Sequence, residues 1–377
     1  MIKATGTKLA QGVDEGFGEV DFDSPDYAMR EYLKRNTWKF SVAKNYNDCT
    51  RLSNLLVRKD GSLRPWNEFK KEALLVVGES NRYLKTEYDT AVAGAQMSRL
   101  WQEIQRDKHI FPYAQFDVVR DGRTSDICAP LDGVICTVDD PRLAYFFQPN
   151  HFNCRTTVRR LRNGVPTNTS AWESVEIPDD WKNNAGATGE IFTEENKYIA
   201  NTPEEVLGKS EKYAERWSKY TELLNDDRYT DVQLGDNAGL KATHKDHQFH
   251  PKFGHYEKEA MDILFRDGNS VVLESEIAKL NVKTPDGLLN DVVFDIKTVL
   301  GENGRIGNNN IKNKLQEGNS QGAENVTLYF PNQDLYRLGD VLKAINRFKT
   351  VTALDKKKTL IKEVWLISGG KIKKFRL

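Results

Sequence analysis

Asp286, Asp295 and Lys297 are spaced so that one short hairpin can gather two carboxylates and an ammonium. In a strand through residues 292–297, alternation puts Val293, Asp295 and Lys297 on one face and Val292, Phe294 and Ile296 on the other. Asp286 sits in the turn before that strand, in Pro285-Asp286-Gly287, and can return to the same end of the sheet. Hard divalent cations such as Mg2+ take oxygen ligands. An ion held by Asp286 and Asp295 would polarise a phosphodiester and acidify its bound water. Lys297, two residues from such a ligand, would orient that water or stabilise charge on the phosphorane. Residues 255–264 hold further acids, among them Glu257 and Glu259. At about 100° per residue, Tyr256, Ala260, Met261, Ile263 and Leu264 define an apolar arc that contains Glu257 and leaves Glu259 outside. Glu257 is therefore the added catalytic candidate, against the alternative of an edge-of-face glutamate reaching solvent.

These side chains need a sheet with helices around it, and the downstream pattern supplies one. It reads as a helix at 254–266, a strand at 270–277, a hairpin at 282–299 and a helix at 309–322. A strand at 325–330, a helix at 334–348 and closing strands at 361–367 and 371–376 follow. Residues 251–377 are thus expected to form a separate α/β domain with a mixed sheet. The chain carries 55 basic and 55 acidic side chains, but residues 337–377 hold 12 basic against 3 acidic. Such an end suits a polyanion such as RNA or DNA. Lys371, Lys373, Lys374 and Arg376 on the last strand are the candidate phosphate contacts, which give affinity without sequence choice. Lys356, Lys357 and Lys358 read either as part of that surface or as a solvated turn.

Upstream the signals differ. Residues 1–25, rich in Gly, Asp and Thr, read as an extended arm. From Tyr27 to about Gln105 apolar residues recur at three- and four-residue steps, which predicts a helical bundle ending before Phe111-Pro112-Tyr113. Short strands and turns are expected over 111–163, then a loop packed on the first domain over 163–189. Thr202-Pro203-Glu204-Glu205 starts a helix reaching 224, and 225–252 shows little pattern, so 201–250 is assigned as a helical linker. The expected class is α+β: a bundle with a small β-rich part over 26–200, then the α/β domain.

At 377 residues, 38% hydrophobic and 29% charged, the composition is globular and exceeds a single ordinary core. No run approaches the eighteen apolar residues of a membrane span, and Met1-Ile2-Lys3-Ala4 opens no secretory signal, so neither membrane nor secretion is expected. Four unevenly spaced cysteines are too few for a disulfide framework, and a reducing cytosol is the expected folding compartment.

Several short motifs stand in order between residues 77 and 163: Leu84-Lys85-Thr86-Glu87-Tyr88, Asp121-Gly122-Arg123, Leu131-Asp132-Gly133, Val138-Asp139-Asp140-Pro141 and Asn153-Cys154-Arg155. Their order resembles the Mu F-like minor head, or head morphogenesis, proteins of tailed bacteriophages over about residues 35–195. The resemblance implies a low-copy virion component near the portal and capsid interior, made in the host cytoplasm, with portal and capsid proteins as partners. Relatives close the domain with Asn-Cys-Arg-Cys, whereas this chain has Thr156 in the last place. Cys128, His151 and Cys154 can supply three ligands of a structural metal, with Asp126 as a fourth, or else be two buried thiols and a hydrogen-bonded histidine. Asp121 and Arg123 are expected to lock a turn as an ion pair.

Pro285-Asp286 followed by Asp295-Ile296-Lys297, behind a helix and strand, resembles the signature of PD-(D/E)XK nucleases. Residues 250–377 also look like the tRNase domains of contact-dependent growth inhibition toxins. Lys283-Thr284-Pro285-Asp286-Gly287, Asp295-Ile296-Lys297, Gln316, Gln321 and Gly369-Gly370 carry that likeness. It implies cleavage of tRNA or other RNA and a cognate immunity protein. It also admits metal-free ribonucleases of the barnase, EndoU, colicin and RelE kind, in which Lys297, His255 and Arg305 would act and the two aspartates would be structural. The remaining alternative is a purely structural head protein whose last domain binds nucleic acid or portal.

Overall fold

The computed structural model describes every residue except 169–171, 173–174, 276–283, 302–304 and 355–358. Lys283 and Lys356, Lys357 and Lys358 thus lie outside the described residues. The chain divides into two units, Met1–Ala214 and Glu215–Leu377. Among the described residues no helix is long and apolar enough to cross a membrane.

The first unit is built on three long helices, α1 (Ile2–Phe17), α2 (Pro25–Leu55) and α3 (Trp66–Asp107). Residues 1–25 are therefore not an extended arm: sixteen of them form α1. The glycines that suggested an arm are close-approach points between helices. A Cβ on Gly16 would lie 2.2 Å from the Val92 carbonyl oxygen, and one on Gly6 would lie 2.1 Å from the Trp38 ring. Leu9, Val13 and Phe17, at helical spacing, are fully buried against Ala91 and Ala95. Ser24 caps α2, its hydroxyl accepting from Asp26 N at 3.3 Å, and Pro25 opens the helix.

After α3 come β1 (Tyr113–Asp117), β2 (Ile135–Thr137), α4 (Pro141–Tyr145) and β3 (Thr157–Leu161). The three strands form an antiparallel sheet in the order β2-β1-β3, over a core that includes Phe116, Phe147 and Trp172. Short helices α5 (Ala185–Thr188), α6 (Lys197–Ala200) and α7 (Glu204–Leu207) return to the bundle, where Ile191, Phe192 and Ile199 join Phe40 in its core.

The division between units falls inside α8 (Lys209–Asn225), so no linker spans 201–250. The stretch read as patternless forms β4 (Tyr229–Leu234) and β5 (Leu240–His244) of the second unit. A register shift between Thr230 and Gln233 breaks the alternation of β4, and Asp231 there has φ 51. In β5, Lys241 is buried and paired with Asp262 and Asp231 at 2.9 and 3.0 Å, so its charge hid a core strand.

Then follow α9 (Gly254–Arg266), β6 (Ser270–Leu273), β7 (Gly287–Leu289), β8 (Val292–Thr298), α10 (Asn308–Gln321), β9 (Asn325–Phe330), α11 (Leu338–Leu354), β10 (Glu363–Ser368) and β11 (Lys371–Arg376). The eight strands form one mixed sheet, β11-β10-β9-β8-β7-β6-β5-β4. β8 runs parallel to β9 and antiparallel to β7, which makes it a central strand. The α9 face packs Ala260, Met261 and Leu264 on Phe294 and Ile296, while the α10 and α11 face packs Leu315 and Phe348 on Val326 and Leu328. The α+β class is as expected from the sequence.

Candidate functional site

Pro285-Asp286-Gly287 enters β7 against β6 so closely that a Cβ on Gly287 would lie 2.0 Å from the Val272 carbonyl oxygen. Only glycine fits there, and its fit fixes where the preceding carboxyl stands. The hairpin then turns at Asn290 and Asp291, both at positive φ. The Asn290 side chain pins the turn, Oδ1 accepting from Ser270 N and Arg216 at 3.0 and 2.8 Å. β8 returns carrying Asp295 and Lys297 on the face opposite Phe294 and Ile296.

Asp286, Asp295 and Lys297 are brought together. Asp286 Oδ2 accepts from Ile296 N at 2.5 Å. Lys297 Nζ lies 2.9 and 2.7 Å from the two oxygens of Asp295, whose side chain is 0% exposed. Burial, then the neighbouring Asp295 and Glu257 charges, push the Asp286 carboxyl well above the ordinary carboxylate range. Burial also raises Asp295, against the pull of Lys297 and of a hydrogen bond with Asp286. Lys297 is raised: burial disfavours its charge, but the two aspartates outweigh that.

Lys297 faces a cleft of about 520 Å³ lined also by Glu257, His250, Asn310, Lys314 and Glu317. Glu257 lies on the cleft side of α9 as the apolar arc indicated, and its Oε1 meets His247 Nε2 at 2.7 Å. His247 is one of two residues the sequence reading missed. Its Nδ1 faces the Glu274 carbonyl at 2.9 Å, which only accepts, so that nitrogen carries a proton. The ring and the Glu257 carboxyl thus hold each other in place. The other is His250, whose Nδ1 accepts from Lys252 N and Phe253 N, both at 3.1 Å, leaving the ring proton on Nε2. Neither was legible, because the segment holding both lacks periodicity.

The remaining candidates fall elsewhere. His255 is exposed against Tyr256, and Arg305 is exposed; neither lines this cleft. The basic strand does not form one patch. Lys371 and Lys373 line a separate cleft of about 350 Å³ beside Tyr336. Alternation turns Lys374 and Arg376 to the other face, over the Trp365 ring at 3.6 Å and beside Glu363 at 3.5 Å.

The raised Asp286 gives a signed expectation. Where a folded carboxyl titrates above its unfolded value, stability is full below the unfolded pKa of about 3.9 and is lost as pH rises through the folded one. Asp286→Asn keeps an acceptor for Ile296 N and removes the titration. Hydrogen exchange of the β8 amides should show the variant gaining on the unsubstituted protein as pH rises above about 4. A difference that stays constant over that range would refute the buried, protonated carboxyl.

In the first unit the ordered motifs do structural work. Glu87 is buried and takes Lys44 Nζ at 2.7 and 2.5 Å; burial raises its carboxyl, and Lys44 opposes this. Asp132 receives Val118 N and Arg120 at 3.3 and 2.8 Å, and Asp140 caps α4 through Arg142 N at 2.9 Å. The expected pair of Asp121 with Arg123 is loose, at 3.9 Å. Arg155 instead grips Asp121 with both nitrogens at 2.7 and 2.6 Å, which holds this carboxyl far below the usual range. Cys128, His151 and Cys154 do come together, whereas Asp126 is exposed and outside the group.

Comparison with known proteins agrees with the first unit's reading. No curated protein and no solved structure matches the chain. Residues 34–159, about a third of the chain and wholly within the first unit, match the family model of phage Mu protein F like protein. This segment supports a protein associated with the phage head.

Proposed function

We propose that the chain is a minor head protein at the portal or capsid interior whose second unit is a nuclease, acting on tRNA or other RNA. One observation carries the catalytic part: a central strand sets Lys297, which lines a cleft, against buried Asp295 with Asp286 beside it. Buried acids are costly unless paired, and two of them beside one cleft-lining ammonium support a chemical role. The order α9, β6, β7, β8, α10, β9 also supports it, since the PD-(D/E)XK resemblance rests on a helix and strand before the hairpin and a helix and strand after.

The donor set fits a hard cation in kind, with two carboxyls in mutual contact. Asp286 and Asp295 would hold Mg2+. Among the described residues the three acids do not gather within 4.8 Å, so Glu257 stands outside that pair. When bound, such an ion polarises a phosphodiester and acidifies its water. Lys297 neutralises the aspartates before binding and presents its ammonium to the phosphate. Glu257, steadied by His247, faces the same cleft as a proton acceptor. Lys371 and Lys373 bind backbone phosphates away from the reacting centre, with Lys374 and Arg376 contributing from the other face.

A metal-free reading has its own support, because His250 brings an Nε2 proton to the cleft beside Lys297. The full-length protein incubated with tRNA, total RNA and plasmid separates the two. Cleavage with Mg2+ that vanishes in chelator is expected. Equal cleavage in chelator moves the chemistry to His250 and Lys297. Binding without cleavage under both conditions leaves a nucleic-acid-binding head protein and ends the nuclease reading.

A further inference from the structure

We propose that the first unit binds a zinc ion through Cys128 Sγ, Cys154 Sγ and His151 Nε2. The three ligand atoms lie within 4.8 Å of one another, the only such group of three among the described residues. Cys128 Sγ is 3.7 Å from Cys154 Sγ and 3.2 Å from His151 Nε2. A tetrahedral ion with bonds of about 2.3 Å to sulfur and about 2.0 Å to nitrogen spans about 3.8 Å between sulfurs and about 3.5 Å from sulfur to nitrogen. These two spacings therefore need shifts of only a few tenths of an ångström, and the third pair lies within 4.8 Å. Both cysteines are free thiols, their sulfurs not bonded to one another at 3.7 Å.

The surroundings are those of a metal site. His151 Nδ1 donates to the Phe152 carbonyl at 2.8 Å, which leaves the Nε2 lone pair aimed at the sulfurs. Ser125 ties the ligands together, its hydroxyl accepting from Cys128 N at 3.1 Å and lying 2.8 Å from His151 Nε2. The other buried cysteine, Cys136, has no place in the group.

Three protein ligands leave one position. Beside the group is a cavity of about 10 Å³, lined by Ser125, Arg123 and Arg155 among others. That is about the room one water takes and far too small for a substrate. The Ser125 hydroxyl, 2.8 Å from His151 Nε2, is placed to hold that water or to ligate directly. The role this assigns is structural. The ion would clip the turn carrying Cys128 to the turn from His151 to Cys154 that enters β3, in a region with only short elements of its own.

The test is metal content of the full chain purified without chelator and reconstituted with zinc under reducing conditions. One zinc per chain is expected, and cobalt in its place should show the thiolate charge-transfer and tetrahedral d–d bands. Cys128→Ser and Cys154→Ser should weaken zinc binding on the order of tenfold or more, with Cys136→Ser unchanged. Should the ligand variants fail to fold, the unsubstituted chain decides alone. Substoichiometric zinc with a featureless cobalt spectrum overturns the site, as does full binding by all three variants.

Discussion

Lys297→Met is expected to abolish phosphodiester cleavage by the full-length protein, a loss on the order of a hundredfold or more in turnover. The ammonium is fixed, because it pairs with buried Asp295 at 2.7 Å and the strand behind it is packed on α9. The same burial makes the substitution destabilising. Removing one partner of a buried ion pair strands the other, at a cost of about 3–5 kcal/mol. Activity loss alone would therefore be ambiguous. The double variant Asp295→Asn with Lys297→Met carries no stranded charge, so it should recover most of the stability and none of the cleavage. Lys373→Ala, at an exposed position in a separate cleft, should weaken binding at raised salt and leave saturated turnover near its starting value. Cleavage surviving in Lys297→Met at more than a tenth of the original rate would remove the lysine from the chemistry.

Lys44→Met is expected to destabilise the first unit by about 3–5 kcal/mol. Lys44 and Glu87 have side-chain exposures of 3% and 4%, and the ammonium also bonds the Ser80 carbonyl at 3.0 Å. Without the lysine, Glu87 stands in the bundle with its carboxyl already raised by burial and nothing to oppose it. Replacing both residues by methionine removes charge and desolvation together and should return stability to near its starting value or above. Denaturant unfolding followed by far-ultraviolet ellipticity checks this through the midpoint. A single-variant loss below about 1 kcal/mol would mean that water reaches the pair.

Glu87 also shows why a motif can be visible before its reason is. Its place in Leu84-Lys85-Thr86-Glu87-Tyr88 can be read from the sequence, but its partner lies on another helix, at Lys44. The same holds in the second unit. Alternation along one strand suffices to put Asp295 and Lys297 on one face, and the helical arc suffices to orient Glu257, because these relations are local and periodic. The order of elements from α9 to β11 was legible for the same reason, each being bounded by its own turn.

What the sequence by itself determined is the class, the downstream order of helices and strands, and the grouping of Asp286 with Asp295 and Lys297; Cys128, His151 and Cys154 were legible only as a candidate group. Tertiary structure alone decided that residues 2–17 are a helix whose glycines serve contact, and that a bulged strand and a charged one extend the sheet as β4 and β5. It also gave Glu257 its partner His247, Asp121 its partner Arg155, and split the basic strand between two faces. The physical reason is common to all of these. Periodicity reports which face of an element is buried, whereas a close approach, a bulge or an ion pair depends on what another element brings to that face.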